Sequence, residues 1–186
     1  MNDTIKYILS RRSTRAFLPE QIKEEELEAV LQAALYAPSA HNDQSWHFTV
    51  IQDQPLLAAL NVDAKIVGRR SKDAILRKMS GNEKLNIFYQ APTVILVSGE
   101  NTALMPETDC AAATENMLLA AESLGLGACW IGLASFAFAG DNAAINRQKL
   151  LIPDGYTPYY AVALGYKKVH ATNALPRRAD TVTYIR

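Results

Sequence analysis

Arg11-Arg12-Ser13-Thr14-Arg15-Ala16-Phe17 places three guanidiniums and two hydroxyls within five residues. Arginine is always charged and presents a rigid fork of donors that suits phosphate oxygens. In an extended chain alternate residues point the same way. Arg11, Ser13 and Arg15 would then line one side as cation, hydroxyl and cation. That is a cradle for a phosphate or for an electron-rich ring edge. Read in isolation, the plainer account prevails: a solvated basic turn at a helix end, where cations complement the macrodipole.

On the N-terminal side, Asn2-Asp3 can cap a first helix with Ile5, Ile8 and Leu9 on one face. On the C-terminal side, Pro19 marks a turn and Glu24, Glu25 and Glu26 open a second helix. Leu27, Val30, Leu31, Ala34 and Leu35 then recur at helical spacing, and the helix ends before Pro38. Residues 38 to 46 are small and polar and read as a loop. Trp46 to Ile51 read as a strand and Pro55 to Leu60 as a helix. Residues 65 to 84 carry Lys65, Arg69, Arg70, Lys72, Arg77, Lys78 and Lys84 against Asp73 and Glu83. They read as a solvated, mobile helical flap, or as a surface that attracts an anionic cosubstrate.

Pro92 to Ser98 is a continuous, β-branched apolar run, the pattern of a buried central strand. Residues 107 to 124 form a long helix that is apolar nearly all round, as expected of a helix buried on several sides, a subunit interface included. Gly125 and Gly127 end it. Ala128 to Leu133 and Tyr159 to Tyr166 read as further buried strands, with an Asp141-capped helix running to Leu151 and a turn at Ile152 to Gly155 between them. The last twenty residues are polar, with Val182 and Tyr184 placed to pair at a sheet edge. The result is a mixed α/β (α+β) chain with one sheet.

A chain of 186 residues is close to one domain and can bury a real core. Lys+Arg and Asp+Glu both count 19, and this balance argues against a general nucleic-acid binder. No apolar run approaches the roughly 20 residues of a membrane span, and the N-terminus has no signal-peptide pattern. Cys110 and Cys129 show no metal or redox spacing, so they read as buried thiols in a reducing cytoplasm. His41, His47 and His170 are scattered, which gives a metal site little support. Gly125-Leu126-Gly127-Ala128-Cys129-Trp130 starts like a dinucleotide fingerprint but lacks the third glycine and follows a helix. No Walker loop and no nucleophile elbow is present.

Three further stretches follow the arginines in order. The first is Ala37-Pro38-Ser39-Ala40-His41-Asn42-Asp43-Gln44-Ser45-Trp46-His47-Phe48, the second Cys129-Trp130-Ile131-Gly132, the third Pro176-Arg177-Arg178. Together the set resembles the nitroreductase family of FMN-dependent flavoproteins, over nearly the whole chain. The resemblance implies a single domain over residues 1–186, with a central, mostly antiparallel sheet flanked by helices, in an intertwined homodimer. It implies that Arg11 and Ser13, with Arg177 or Arg178, hold the FMN phosphate, which would draw both chain ends together; Arg12 is the next residue in the family's cofactor-binding run. Arg15 corresponds to the family's basic residue near flavin N1 and O2, where a cation favours the reduced ring. Pro38, Ser39, Ala40, Asn42 and Gln44 would contact the flavin bound mainly by the other subunit. Ser45 stands where the family usually has proline. Backbone N–H groups at Trp130, Ile131 and Gly132 would address N5, Gly132 letting the backbone come close. Ile131 stands where several members carry a glutamate, so no side-chain acid is assigned, and Trp130 reads as core rather than stacking platform.

The activity implied is hydride transfer from NADH or NADPH through FMN to nitroaromatic, quinone or similar flat acceptors, in ping-pong fashion. Two alternatives stand beside it. One is a flavoenzyme of the same fold with other chemistry, such as dehalogenation or flavin cleavage. The other is a non-enzymatic dimer that binds FMN or another phosphate ligand.

Overall fold

The apolar run after Pro92 becomes β2 (Thr93–Glu100), and everything else is layered on it. The computed structural model describes residues 1–170 and 173–186. β2 is flanked by β1 (Trp46–Ile51) and β4 (Tyr156–Gly165), and β3 (Gly127–Ile131) pairs with β4. The order is β1-β2-β4-β3, with every neighbouring pair antiparallel. Side chains alternate across a strand, so β2 feeds two cores. Val94 and Leu96 face one and Ile95 and Val97 the other, and all four are buried. Burial on both faces explains why β2 reads as a run rather than an alternation. The β2–β4 register shifts between Val97 and Ser98, a bulge beside Pro158, which has no N–H to give the ladder.

Helices α2 (Glu24–Leu35) and α5 (Pro106–Ser123) cover one face. On the other lie α3 (Gln54–Gly68), α4 (Ala74–Gly81) and a 3-10 stretch, Gly132–Phe138. The α5 helix buries Cys110, Ala113, Met117, Leu118 and Ala121 against the sheet. It ends at Gly125 (φ +78°), the left-handed conformation that glycine adopts freely, with Leu126 N–H returning to Ala121 O at 2.8 Å. Gly127 opens β3 instead of closing the helix.

Several expectations need correction. The helix expected over Pro55 to Leu60 runs on to Gly68. The short helix near Asp141 is α6 (Ala143–Lys149), with Asn142 at its cap position, and it stops before Leu151. Asn142 and Asn146 both donate to Asp63, so the helix start is fixed by tertiary bonds. The helix α1 (Asp3–Ser10) forms with Asn2 as its cap, yet Ile5, Ile8 and Leu9 are exposed. Val182 and Tyr184 pair with no strand among the described residues and are exposed.

Residues 65 to 84 are largely helical and exposed, as read, but carry anchors that their charge pattern does not show. Lys65 is 7% exposed, and its Nζ donates to Asn82 O (2.7 Å) and Leu85 O (2.9 Å). Arg69 Nε reaches Ser80 O at 3.3 Å. Asp73 caps α4 by accepting from Ile75 N and Leu76 N. The lysine read as surface charge is a buried clamp. Lys65→Met is therefore expected to strand two carbonyls and cost about 1–3 kcal/mol. Urea unfolding measures the loss, and hydrogen exchange should show faster opening around Leu85 to Ile87 than in β2.

Candidate functional site

The stretch from Arg11 to Phe17 docks on the outer edge of β3. Thr14 N–H donates to Ala128 O at 2.9 Å, and a parallel bridge joins Ser13 to Ala128. Further on, Leu18 N–H donates to Tyr166 O and Lys168 N–H to Ala16 O, both at 3.0 Å. Two facing glycines provide the room. Gly127 and Gly165 are register partners across β3 and β4. A Cβ on Gly127 would lie 2.7 Å from Thr14 Cγ2, and one on Gly165 would lie 2.7 Å from Pro92 Cδ. Real Cβ atoms do not approach this closely, so a side chain at Gly127 would displace the stretch at Thr14, and one at Gly165 would displace Pro92 and crowd Phe17, whose Cδ1 lies at 3.1 Å.

This docking orients the side chains. Thr14 is buried against the strand. Burial pushes the Cys129 thiol up, against the pull of Arg15, a hydrogen bond with Ser13 and the charge of Arg11. Arg11, Ser13 and Arg15, the alternate residues of the stretch, thus all lie near enough to Cys129 to act on its thiol. Arg12 is engaged locally. Its guanidinium donates to Leu9 O and Arg11 O, both at 2.7 Å, and closes the end of α1. Arg11 Nε stands 3.8 Å from Glu115 in a partly exposed pair. Such pairs are worth about 0–1 kcal/mol, so the guanidinium remains available.

A cavity of about 620 Å³ opens beside the stretch, lined by Ser10, Arg12, Ser13, Arg15, Lys167 and His170 among others. Lys167 is held there by Glu122 at 2.8 Å, and this pair is largely buried. The remaining arginines leave the cavity cationic. A second cavity of about 360 Å³ is apolar, with Leu76, Met79, Tyr89, Trp130, Ile131 and Phe136 in its wall and Gly132 beside them. Arg15 joins the two: it lines the first, and its guanidinium carbon lies 5.9 Å from the ring centroid of Tyr89, which lines the second. Tyr89 (φ 55°) and Gln90 (φ 56°) are both left-handed, a strained conformation that clusters at functional sites.

The outer edge of β3 is only half covered. Alternate residues of a strand turn their N–H and C=O to the same side. Since Ala128 O faces the arginine stretch, the N–H and C=O of Trp130 face that side too, at the apolar cavity. The Trp130 ring itself packs edge-to-face on Tyr160, with centroids 4.8 Å apart, and belongs to the core on the α5 side. Tyr160 donates to Glu107 at 3.0 Å, and burial and that bond push its phenol up to about 12.

The loop after α2 lies elsewhere. It leads into β1, the opposite edge of the sheet from β3. Three strand spacings, about 14 Å, separate the two edges. Ala40 and Asn42 bound a 3-10 turn, and His41, Asn42 and Gln44 all have positive φ. Pro38, Asn42 and Gln44 are exposed, and Ser39 and Ala40 half-buried. The loop is rigid for a reason invisible at Ser45 alone. The buried Asp109 on α5 accepts from Ala40 N–H at 3.0 Å and from Ser45 Oγ at 2.9 Å, and Gln44 N–H donates to Ser39 Oγ at 3.0 Å.

The chain therefore gathers Arg12, Ser13 and Arg15 at one cavity, with Arg11 beside it, and Trp130, Ile131 and Gly132 at the next. The loop residues stand at the far sheet edge. Arg177 and Arg178 are exposed and do not line either cavity. Residues that motif reading passed over are Lys167, Glu122 and Tyr89. The first was accessible in principle: once Gly165 faces Gly127, whatever follows Gly165 must emerge beside the arginines. Among the described residues no cluster of His, Cys, Asp and Glu could hold a metal, and no helix is long and apolar enough to cross a membrane.

Comparisons with known proteins agree with this architecture. The model of the nitroreductase family matches residues 8–166. A putative NADH dehydrogenase/NAD(P)H nitroreductase of Archaeoglobus fulgidus is 32% identical over 172 residues, 90% of this chain and 87% of that protein. A nitroreductase of Bacteroides fragilis solved with bound FMN is 35% identical with a TM-score of 0.90. One from Desulfitobacterium hafniense, also solved with FMN, is 30% identical with a TM-score of 0.88. In both the whole of each chain is covered.

Asp109→Ala is expected to release the loop at residues 39–45, because two charge-assisted bonds go at once, each worth about 1.5–3 kcal/mol. Limited proteolysis should cut there first, and Ser45→Ala should show a smaller effect of the same kind. Equal protection in Asp109→Ala and the wild type would contradict the tether.

Proposed function

The chain belongs to the nitroreductase family, and we propose that it acts as an FMN-dependent oxidoreductase drawing on NADH or NADPH. The observation that carries this is the place of Arg15, between a cationic cavity and an apolar one, beside the open edge of β3. The residues fit the cofactor. Ser13, Arg12 and Lys167 line the cavity suited to a phosphate, Arg11 flanks it, and arginine forks match phosphate oxygens. The apolar wall at Trp130 to Gly132 suits a flat ring, and the free backbone N–H there can meet the ring's polar edge. Bound there, FMN would supply the chemistry, taking hydride from NAD(P)H and passing electrons to a nitroaromatic, quinone or similar flat acceptor that alternates with the donor in one site.

The protein's own part is positioning and electrostatics. Arg15 would place a fixed positive charge where negative charge accumulates on reduction, and a preformed charge in a partly dry site acts more strongly than in water. Cys129, though close by, is buried and held protonated, so it has no nucleophilic part. No side-chain acid stands at Ile131, which leaves proton supply to solvent or the cofactor.

A homodimer belongs to the same proposal, with residues 1–186 as one unit. Pro38, Ser39, Ala40, Asn42 and Gln44 sit at the β1 edge, and one copy cannot bring them to a ligand held at the β3 edge. A second copy can. The exposed apolar side chains Leu175, Val182, Tyr184 and Ile185 of the C-terminal segment, and Ile5, Ile8 and Leu9 of α1, are the surface such a pairing would cover. Arg177 and Arg178 travel with that segment and are proposed to complete the phosphate site on assembly.

Arg15→Ala is expected to weaken FMN binding about tenfold, equivalent to 1.4 kcal/mol, and to slow anaerobic flavin reduction. Quenching of FMN fluorescence and stopped-flow absorbance measure the two. Unchanged affinity together with an unchanged reduction rate would overturn the assignment.

A further inference from the structure

Residues 65–84 hold seven basic side chains against Asp73 and Glu83, a net of +5 in a chain whose formal net charge is zero. Three of the seven are committed to the fold. Lys65 clamps the 82–85 turn, Arg69 reaches Ser80 O, and Arg77 donates to Ser71 O and Lys72 O at 2.8 Å each. The carboxylate of Asp73 is spent on the α4 cap. Arg70, Lys72, Lys78 and Lys84 are exposed, and their side chains make no hydrogen bond or ion pair among the described residues. Two of them stand next in sequence to the apolar cavity. Lys78 adjoins Met79, and Lys84 adjoins Leu85, and both neighbours line the apolar cavity. The buried clamp at Lys65 holds the backbone that carries Lys84.

We infer that Lys78 and Lys84, each next in chain to a residue lining the apolar cavity, form a cationic rim to it and bind the phosphates of the reduced dinucleotide donor. The inference rests on the oxidoreductase reading and adds where the donor's anionic half lies. A reduced nicotinamide is flat and uncharged, while the rest of the dinucleotide carries a pyrophosphate, and NADPH a further phosphate. An apolar pocket with a cationic rim matches that division. Charges on the rim act through solvent, so they steer and hold the donor without touching the reacting ring, and salt weakens them.

The test uses the FMN-loaded protein and the variant Lys78→Glu/Lys84→Glu, with flavin reduction followed anaerobically. The donors are NADPH, NADH and N-benzyl-1,4-dihydronicotinamide, which has no phosphate. The apparent Kd for NADPH is expected to rise about tenfold or more, while that for the phosphate-free donor changes less than about twofold. In the wild type, raising the salt should weaken NADPH and spare the phosphate-free donor. Lys78→Gln/Lys84→Gln, which removes charge without reversing it, should move in the same direction by less. An unchanged Kd for NADPH would overturn the inference. So would an equal change with all donors, which marks a disturbed cavity. Wild-type protein that binds no FMN, or that no donor reduces, would instead defeat the oxidoreductase reading and this inference with it.

Discussion

The docking of residues 11–17 along β3 is the contact on which the site depends. The backbone bond from Thr14 N–H to Ala128 O sets the register along β3, and Gly127, where a Cβ would strike Thr14, makes the approach possible. From that register the rest follows. Thr14 is buried against the strand, Arg12, Ser13 and Arg15 line one cavity with Arg11 beside it, and Lys167, just past β4, reaches the same cavity. An exposed sheet edge is a liability that proteins usually cover. Here the first half of the edge is covered by the basic stretch, and the second half, at Trp130, is left open beside an apolar wall. In the proposed reading that opening is where the cofactor's ring lies, so the sheet edge itself supplies part of the site.

Buried polar groups do most of the remaining positioning. Asp109 fixes the loop at the β1 edge, Lys65 fixes the turn below the apolar cavity, and Asn146 fixes α6 through Asp63. Each is satisfied by hydrogen bonds, as a buried polar group must be to avoid a desolvation cost of several kcal/mol. These clamps lie outside the apolar periodicity that defines the elements. They act on loops, and loops carry the candidate binding residues. The sheet and its two cores provide the platform, and the clamps aim what stands on it.

Much of this was legible in the sequence because it follows from local pattern. The β-branched run after Pro92 could only be a buried strand, and the spacing of Leu27, Val30 and Ala34 marked α2. The resemblance carried by Arg11 to Arg15 and Pro38 to Phe48 led to the right family and fold. What pattern could not supply were tertiary partners. Lys65 and Asp109 look like surface charges until the carbonyls and hydroxyls they serve are brought to them from 17 and 64 residues away. Asp141 looked like a cap, yet the neighbouring Asn142 is the one tied down, because Asp63 arrives from α3. Val182 and Tyr184 carry strand-like chemistry with no partner strand among the described residues, since pairing needs an edge as well as a propensity. Tyr89 gave no signal at all: its left-handed backbone and its place under Arg15 are properties of the folded chain.

The most direct measurement is the visible absorption spectrum of the purified protein, before and after anaerobic addition of NADH and then NADPH. A flavin band that bleaches with either donor is the predicted result. A colourless protein that cannot be reconstituted with FMN would contradict the cradle at Arg11 to Arg15, and a bound flavin that neither donor bleaches would contradict the oxidoreductase reading.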